Sequence, residues 1–508
     1  MEKQEDNIME KIVSLAKRRG FIFQAGELYG GLSGFYDYGP LGSLLKNNVK
    51  NSWLSKFVHS RSDMFLVDTA IIMGEKPLTA SGHVGGFSDP LIECLKCKKR
   101  QRVDILIENH SLYFEMLEEM YFSGDDRKKV QIQQFEDSMP EYEAGQEFDK
   151  MSISRHEDAK KFIGLFPTLF IKDTQIKCPH CGKLEWGIAR QFNMMLKTQL
   201  GAVEDSSSTA YLRPETAQGI FVNYKNIMDS MHPKIPFGVA QIGKAYRNEI
   251  TPRDFIFRQR EFEQMEIEYF IHVDAWEKYF EYWKDEMIGW MEVVGIDMNK
   301  VHNIEVTGDD LAHYSKRTID FEFDFPFGQK ELFGLAYRGD YDLGKHAQDS
   351  NQKLQYTDAT TNKTYIPHVI EPSMGLDRAI LALLVSAYRE DEMNGEIRTY
   401  LKLAPHIAPY ILAISPLLKN KPELVEKAES LFAQLRNIFP GVTYDDNGNI
   451  GKRYRRQDEI GTPFCIVVDF ETLEGETKDT VTVRDRDTGK QERVAISDLE
   501  KYLKEKIV

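Results

Sequence analysis

The stretch that most constrains this chain runs from Phe237 to Phe270, FGVAQIGKAYRNEITPRDFIFRQREFEQMEIEYF. Its two halves alternate with period 2 across a basic, proline-containing loop, the pattern of paired strands. In the first half Gln241, Gly243, Ala245, Arg247 and Glu249 share a face. In the second, Arg260, Phe262, Gln264 and Glu266 share a face while Met265, Ile267 and Tyr269 point the other way. One side of the sheet is therefore apolar and packable, and the other carries arginines, carboxylates and an aromatic ring. A guanidinium fork matches phosphate and keeps its charge, so Arg247 and Arg260 suit a triphosphate, with Phe262 as a flat surface for a base. Carboxylates beside them suit an ammonium group or a metal ion. A surface hairpin laced with cross-strand ion pairs accounts for the same residues, and this stretch alone leaves both readings open.

RNE followed by a loop and FRQREFEQME resembles motif 2 of the class II aminoacyl-tRNA synthetases, in the wording of the glycyl-tRNA synthetase family. YLRPETAQG (Tyr211 to Gly219) and EPSMGLDRAILALL (Glu371 to Leu384), the latter similar to motif 3, agree with it. The likeness extends from FIFQAGELYGGLSGFYDYGPLG to TVTVRDRDTGKQERV, nearly the whole chain. It implies an α+β fold: a class II antiparallel sheet flanked by helices, an inserted subdomain, and a C-terminal α/β anticodon-binding domain. The corresponding boundaries are 1–93 and 182–402 for the catalytic domain, 94–181 for the insertion and 403–508 for the anticodon-binding domain. The implied activity is ligation of glycine to tRNA(Gly) through glycyl-adenylate. Synthetase-like folds also serve as non-catalytic nucleic-acid-binding accessory subunits, which typically lose the catalytic arginines; Arg247, Glu249, Phe262 and Arg378 all remain here.

With 508 residues, 42% hydrophobic and 29% charged, the chain can bury a large core as two or three domains. It shows no apolar run long enough to span a membrane and no signal peptide, so no membrane partner is expected and a cytoplasmic location is the default. The net charge of -15 argues against a general nucleic-acid coat, which leaves RNA contact to local basic patches. An amphipathic helix is expected over Asp6 to Arg19, a loop over Gly26 to Gly42, a helix over Leu44 to Val58 and a strand over Met64 to Met73. By resemblance this region is motif 1, which builds a homodimer interface, although the customary proline is not clearly placed.

Four of the five cysteines form two pairs, Cys94-Leu-Lys-Cys97 and Cys178-Pro-His-Cys181, each spaced so that two thiolates grip one ion. A tetrahedral Zn2+ would close the base of the charged insertion, whose acidic run spans Glu136 to Asp149; such binding is worth on the order of 10 kcal/mol. Reduced free thiols or a metal-free remnant would look the same in sequence, and His180 is an alternative ligand. Lys96 within the first pair and Lys98, Lys99, Arg100 and Arg102 just after it form a basic cluster, as a solvated face or a contact to the tRNA acceptor end.

The remaining site residues come from the resemblance. It assigns ATP to Arg247, Asn248, Glu249, Phe257, Arg258, Gln259, Arg260, Glu261, Phe262, Glu331, Leu332, Gly375, Leu376, Asp377 and Arg378. Arg247 takes the α-phosphate, Arg258 or Arg260 with Arg378 the outer phosphates, Glu331 a Mg2+, and Arg378 covers the adenine face opposite Phe262. Glycine falls to Glu215, Phe262, Glu263, Gln264, Met265, Glu266, Glu371, Pro372, Ser373, Met374, Gly375 and Arg102, with Arg100 one pleat away as the rival for the last position. Glu215 can equally be a helix N-terminal charge, Glu331 a surface residue, and Arg378 an ion-pair partner of Asp377. Gly339 to Lys345 nearly spells a P-loop, but His346 replaces the hydroxyl residue and no strand-to-helix context is expected, so that motif is rejected. Beyond Leu403 alternating strands and helices suggest the small α/β domain, whose densest basic patch, Gly451 to Arg456, offers Tyr454 for stacking on an unpaired base or is simply solvated.

Overall fold

The computed structural model describes residues 2–103, 106, 171, 176–202, 208–308, 311, 312, 314–393 and 395–507. The acidic run Glu136 to Asp149 lies outside them. The chain forms two compact units: Met1–Ala70, Glu215–Ala245 and Arg253–Val508 in the first, Ile71–Pro214 and Tyr246–Pro252 in the second.

The first unit is organised by a seven-stranded sheet of β1 (Met64–Leu66), β2 (Phe237–Tyr246), β3 (Glu261–Ile271), β4 (Val301–Val306), β5 (Arg317–Phe325), β6 (Gly328–Gly339) and β7 (His368–Gly375). Their order across the sheet is β4-β5-β6-β7-β3-β2-β1. The β4–β5, β5–β6, β6–β7 and β7–β3 pairs are antiparallel and β1 joins β2 in parallel. Alternation along each strand decides its faces. Met265, Ile267, Tyr269 and Ile271 of β3, with Ile319, Phe321, Phe323 and Phe325 of β5, enter one large apolar core.

That core is closed by helices α1 (Glu2–Arg19), α2 (Pro40–Leu54), α4 (Trp276–Val294) and α6 (Leu376–Ala387). Every residue of α6 is buried except Arg378, as expected of a helix that is apolar all round. On the opposite face α3 (Ala217–Met231) and α5 (Tyr341–Ser350) cover a smaller cluster that includes Phe221, Phe237, Phe270 and Leu343. Gly219 lets α3 come this close: a Cβ there would lie 2.2 Å from the Thr69 hydroxyl oxygen.

The same unit carries a five-stranded sheet, in the order Val442–Tyr444, Leu412–Pro416, Phe464–Val468, Thr480–Asp485, Gln491–Ala495. Its first three strands are parallel and the last two antiparallel, around a separate core with Leu424, Leu431 and Leu435 from the helix Pro422–Leu435.

Several local expectations are corrected. The strand expected over Met64 to Met73 is two strands, β1 and Ile72–Gly74, which belong to different units. The patch Gly451 to Arg456 lies in a helix, Ile450–Ile460, where Arg453 is buried and Arg456 pairs with Asp445 at 2.7 Å. Tyr454 packs its ring under the Arg484 guanidinium at 4.7 Å, so it is a structural ring rather than an open stacking platform. Gly339 to Lys345 does join a strand to a helix, contrary to expectation. The P-loop reading still fails there, because Lys345 is exposed while Asp342 and His346 turn inward.

Candidate active site

At the centre of the first unit a nest of acids surrounds one buried cation. Arg338, 2% exposed, donates from Nε and Nη2 to Asp342 at 2.7 and 2.9 Å, and from Nη1 to both oxygens of Glu371 at 2.9 and 3.0 Å. Tyr314 lies over its guanidinium at 3.8 Å. Such a bidentate, desolvated arrangement is specific to arginine. Glu266, next on the β3 face, accepts from Thr216 Oγ1 and from Ser373 Oγ at 2.9 Å. Gln218 Nε2 bridges Glu215 and Asp342 at 3.0 and 3.2 Å, and is itself fixed through Oε1 by His346 at 2.9 Å.

Burial, with Glu215 beside it, raises the Glu266 carboxyl above its ordinary value. Burial also pushes Glu371 up to about 8, against the pull of Arg338 and with the repulsion of Glu266 and Glu215. Arg338 among the acids Glu215, Glu266, Glu268, Glu371 and Asp342 leaves an acid-rich cluster whose natural complement is a positively charged amine.

The adenine-side expectations divide by pleat. Arg378 donates to the Glu331 carbonyl at 2.9 Å, pairs with its carboxylate at 3.2 Å, and lies over the Phe257 ring at 4.4 Å. Within the chain its aromatic partner is Phe257. Glu322 sits opposite Glu331 in the β5–β6 register, and burial together with Glu331 and Glu322 pushes Asp320 up to about 6. The three acids make a negative patch beside Arg378, but their carboxyl oxygens are not among the groups that converge within 4.8 Å of one another in the described residues.

Arg260 donates from Nη1 to the Ser33 carbonyl at 3.0 Å and its amide bonds Gly34, which ties the Gly-rich N-terminal loop to β3. Arg258 forms an isolated bridge with Arg253, Gln259 turns in to the Ile256 carbonyl at 3.0 Å, and Glu261 pairs with Lys244.

Glu263, Met265, Leu332, Met374, Leu376 and Asp377 send their side chains away from the nest. Met265, Leu332, Met374 and Leu376 are in the main core. Glu263 pairs with Lys46 at 3.0 Å and with Lys50, while Asp377 accepts from Tyr38 at 2.5 Å and from the Glu263 amide at 2.7 Å. Burial opposes ionisation of Glu263, but Lys46 and Lys50 outweigh it and hold its carboxyl below the ordinary value. The Glu263 and Asp377 pairs brace α2 and α6 against β3, and these two acids also line a pocket with Phe262, Lys46 and Lys50. Gln264 faces the nest and accepts from the Thr216 amide at 3.2 Å; Pro372 is buried opposite Leu335, and Gly375 sits opposite Gln264.

The second unit holds Arg247, Asn248 and Glu249. Arg247 donates from Nε to the Pro214 carbonyl at 3.2 Å with its guanidinium over Phe87 at 5.3 Å, and the Asn248 amide bonds Met194. The strand Arg100–Arg102 pairs Arg102 opposite Leu91 and Arg100 opposite Glu93. Arg102 is half-buried against Asp89 at 2.6 Å, whereas Arg100 is exposed and pairs with Glu93 at 3.3 Å.

In the same unit the four cysteines converge. Cys94 and Cys181 are 3.6 Å apart at sulfur, Cys97 and Cys178 3.7 Å, and all four sulfurs lie within 4.8 Å of one another. Zn–S bonds of about 2.3 Å in a tetrahedron place sulfurs roughly 3.8 Å apart, so the donor set fits one zinc ion. His180 bonds Gln101 at 2.8 Å instead of joining the sulfurs. Cys465 stands apart, buried in the C-terminal sheet, and burial pushes its thiol up to about 12.

Sequence reading missed Arg338, Asp342, Gln218, Thr216, Tyr314, Glu268 and Asp320. The available signal was Arg338 four residues before Asp342 at a strand-to-helix junction, a spacing overshadowed by the near P-loop.

Three family models match the chain: "tRNA synthetase class II core domain (G, H, P, S and T)" over 197–387, "Glycyl-tRNA synthetase insertion domain 1" over 89–194 and "Anticodon binding domain" over 412–506. Among curated proteins, a glycine–tRNA ligase of Clostridium acetobutylicum is 46% identical over 505 residues, covering 99% of this chain and 100% of its own. One of Clostridium perfringens is 46% identical over 499 residues (97% of each), and one of Deinococcus radiodurans 44% over 533 (98% and 99%).

Proposed function

This chain belongs to the glycine–tRNA ligase family of the class II tRNA synthetases, and we propose that it binds the glycine ammonium in the acid nest around Arg338. It activates glycine with ATP and transfers the glycyl group to tRNA(Gly). The glycine carboxylate attacks the α-phosphate, releasing pyrophosphate; the terminal ribose hydroxyl of the tRNA then attacks the activated carbonyl. Neither step needs a protein nucleophile, so catalysis rests on alignment and charge neutralisation.

The observation that carries the site reading is the excess of buried acid over cation: Arg338 is shared by Glu371 and Asp342, while Glu266, Glu268 and Glu371 bring carboxyl oxygens within 4.8 Å of one another, a charge set that an ammonium group complements. Glycine offers no side chain to grip, so selection falls to exclusion of anything larger. Arg102 is assigned to the glycine side and Arg247 to the α-phosphate, with Asn248 and Glu249 beside it. Arg258 or Arg260 and Arg378 are assigned to the outer phosphates and Phe262 to the base. Glu331, with Asp320 behind it, would hold the Mg2+ that accompanies ATP and neutralises its phosphates.

We assign Cys94, Cys97, Cys178 and Cys181 to a structural Zn2+ at the base of the 94–181 insertion, between catalytic parts 1–93 and 182–402, with the anticodon-binding domain at 403–508. A homodimer is supported by the open edge strand β1, where Leu66 is half exposed, and by Leu28 and Tyr29, 96% and 95% exposed on the N-terminal loop. Among the described residues no helix is long and apolar enough to cross a membrane, and we place the protein in the cytoplasm.

ATP–pyrophosphate exchange with each common amino acid, without tRNA, tests the reading: exchange is expected with glycine alone, and exchange with a larger amino acid would refute the exclusion argument. Arg247→Ala is expected to lower exchange at least about 100-fold with little loss of fold; unchanged exchange would remove Arg247 from the α-phosphate.

A further inference from the structure

Glu268 follows Glu266 on the same face of β3 and is 0% exposed. Both of its carboxyl oxygens are buried without a hydrogen-bond partner. The β3–β7 register sets Glu266 opposite Ser373 and Tyr269 opposite Ile370, which brings Glu268 level with Glu371. Carboxyl oxygens of Glu266, Glu268 and Glu371 lie within 4.8 Å of one another. The charged groups facing Glu268 are Glu371 on β7, Arg338 on β6, Glu266 on its own strand and Asp342 on α5. Arg338 is the one cation in that set, and its N–H groups are directed at Asp342 and Glu371. Among the described residues no donor reaches Glu268 to stabilise a charge on it.

We infer that Glu268 holds a proton in the free protein, shared through the cluster with Glu266 and Glu371, and that an amine entering the nest as its ammonium expels that proton. The inference rests on the assignment of the ammonium to this nest. The acid sits on Glu268 rather than Glu371 because Glu371 accepts two N–H bonds from Arg338. Burial, then the neighbouring Glu371, keeps Glu268 far on the protonated side of an ordinary carboxyl. When a second cation arrives, the O–H bond of Glu268 breaks, its proton passes to the buffer, and the new carboxylate balances the ammonium. Nothing is oxidised or reduced. Glu268 is thus a positioning residue: free of amine, the nest carries one less negative charge to repel itself, and the full charge develops only when its ligand is present.

The test is calorimetric titration of the full-length protein with glycine near pH 7.5, in buffers of different ionisation enthalpy, which counts protons released per glycine bound. Release of roughly one proton per site is expected. Glu268→Gln, which copies the neutral acid, is expected to bind glycine with release reduced at least about two-fold. A wild-type heat independent of buffer, or undiminished release from the glutamine variant, would overturn the inference while leaving the ammonium site standing. Glycine binding that survives Glu266→Ala unchanged would overturn the site assignment itself. The same release on adding magnesium chloride without glycine would also overturn the inference. A structural role for Glu268 alone would move stability but not the proton count, and the wild-type measurement decides the matter even if the variant does not fold.

Discussion

Arg338→Gln removes the buried cation that Asp342 and Glu371 share. Four N–H···O contacts between 2.7 and 3.0 Å are lost, and two carboxylates, 2% and 6% exposed, are left in a desolvated site. Truncating one partner of a buried pair costs about 3–5 kcal/mol. The stranded acids can recover part of this by taking up protons, which also changes the charge that receives the ammonium. Replacing Asp342 by Asn should cost less in the Arg338→Gln background than in the wild type, because the cation that Asp342 pairs with is already gone and the substitution removes a stranded charge. A coupling of about 1–3 kcal/mol is expected between the two positions. Urea unfolding followed by tryptophan fluorescence reads this directly, since Trp53, Trp283 and Trp290 are buried in the core of the same unit. Glycine-dependent pyrophosphate exchange should also fall, because the acids assigned to the ammonium lose the guanidinium that fixes their charge and position. An unfolding midpoint unchanged by Arg338→Gln, or strictly additive single and double substitutions, would refute the account of the nest as one charge-compensated unit.

Three further outcomes are expected. Cys178→Ser should leave three thiolates and cut bound zinc, read by elemental analysis, from about one ion per chain, with faster proteolysis inside 89–194; equal zinc in the variant would refute the four-sulfur site. Gly219→Ala should lower stability by about 1–3 kcal/mol, since its Cβ meets Thr69 Oγ1 at 2.2 Å, and Thr69→Ala should restore part of the loss; a neutral Gly219→Ala would show that α3 shifts freely. Glu268 has a folded-state affinity for protons above that of the unfolded chain, so the folded state binds more protons and stability falls as pH rises above about 4.5 toward its folded value. Glu268→Gln removes that dependence and should gain thermal midpoint relative to wild type at pH 8 compared with pH 5; parallel profiles would show that Glu268 is not protonated.

Much of the site's framework was legible from period alone. The β3 alternation correctly set Gln264 and Glu266 against Met265, Ile267 and Tyr269, and the apolar run Leu376 to Ala387 is a buried helix that leaves Arg378 outside. What family wording grouped together, the pleat separated: Glu263 and Asp377 lie within site motifs, yet their side chains serve Lys46, Lys50 and Tyr38. Charge density misled in GKRYRR, where Arg453 is buried, Arg456 pairs with Asp445 and Tyr454 packs under Arg484. A run of basic residues reports composition, not which of them acids elsewhere will claim.

The sequence by itself determined the helix over Leu376 to Ala387, the apolar and polar faces of β3, the paired cysteines and, through its motifs, the family. Each of these depends on the chain's own pleat, helical period or residue order, which neighbours within a few positions decide. Only the tertiary structure decided that Arg338 binds Glu371, 33 residues away, and that Gln218 reaches Asp342, 124 residues away. It also decided that Glu268 is left without a donor. Charge compensation in a dry interior depends on which groups folding brings within hydrogen-bond reach, and distance along the chain does not encode that.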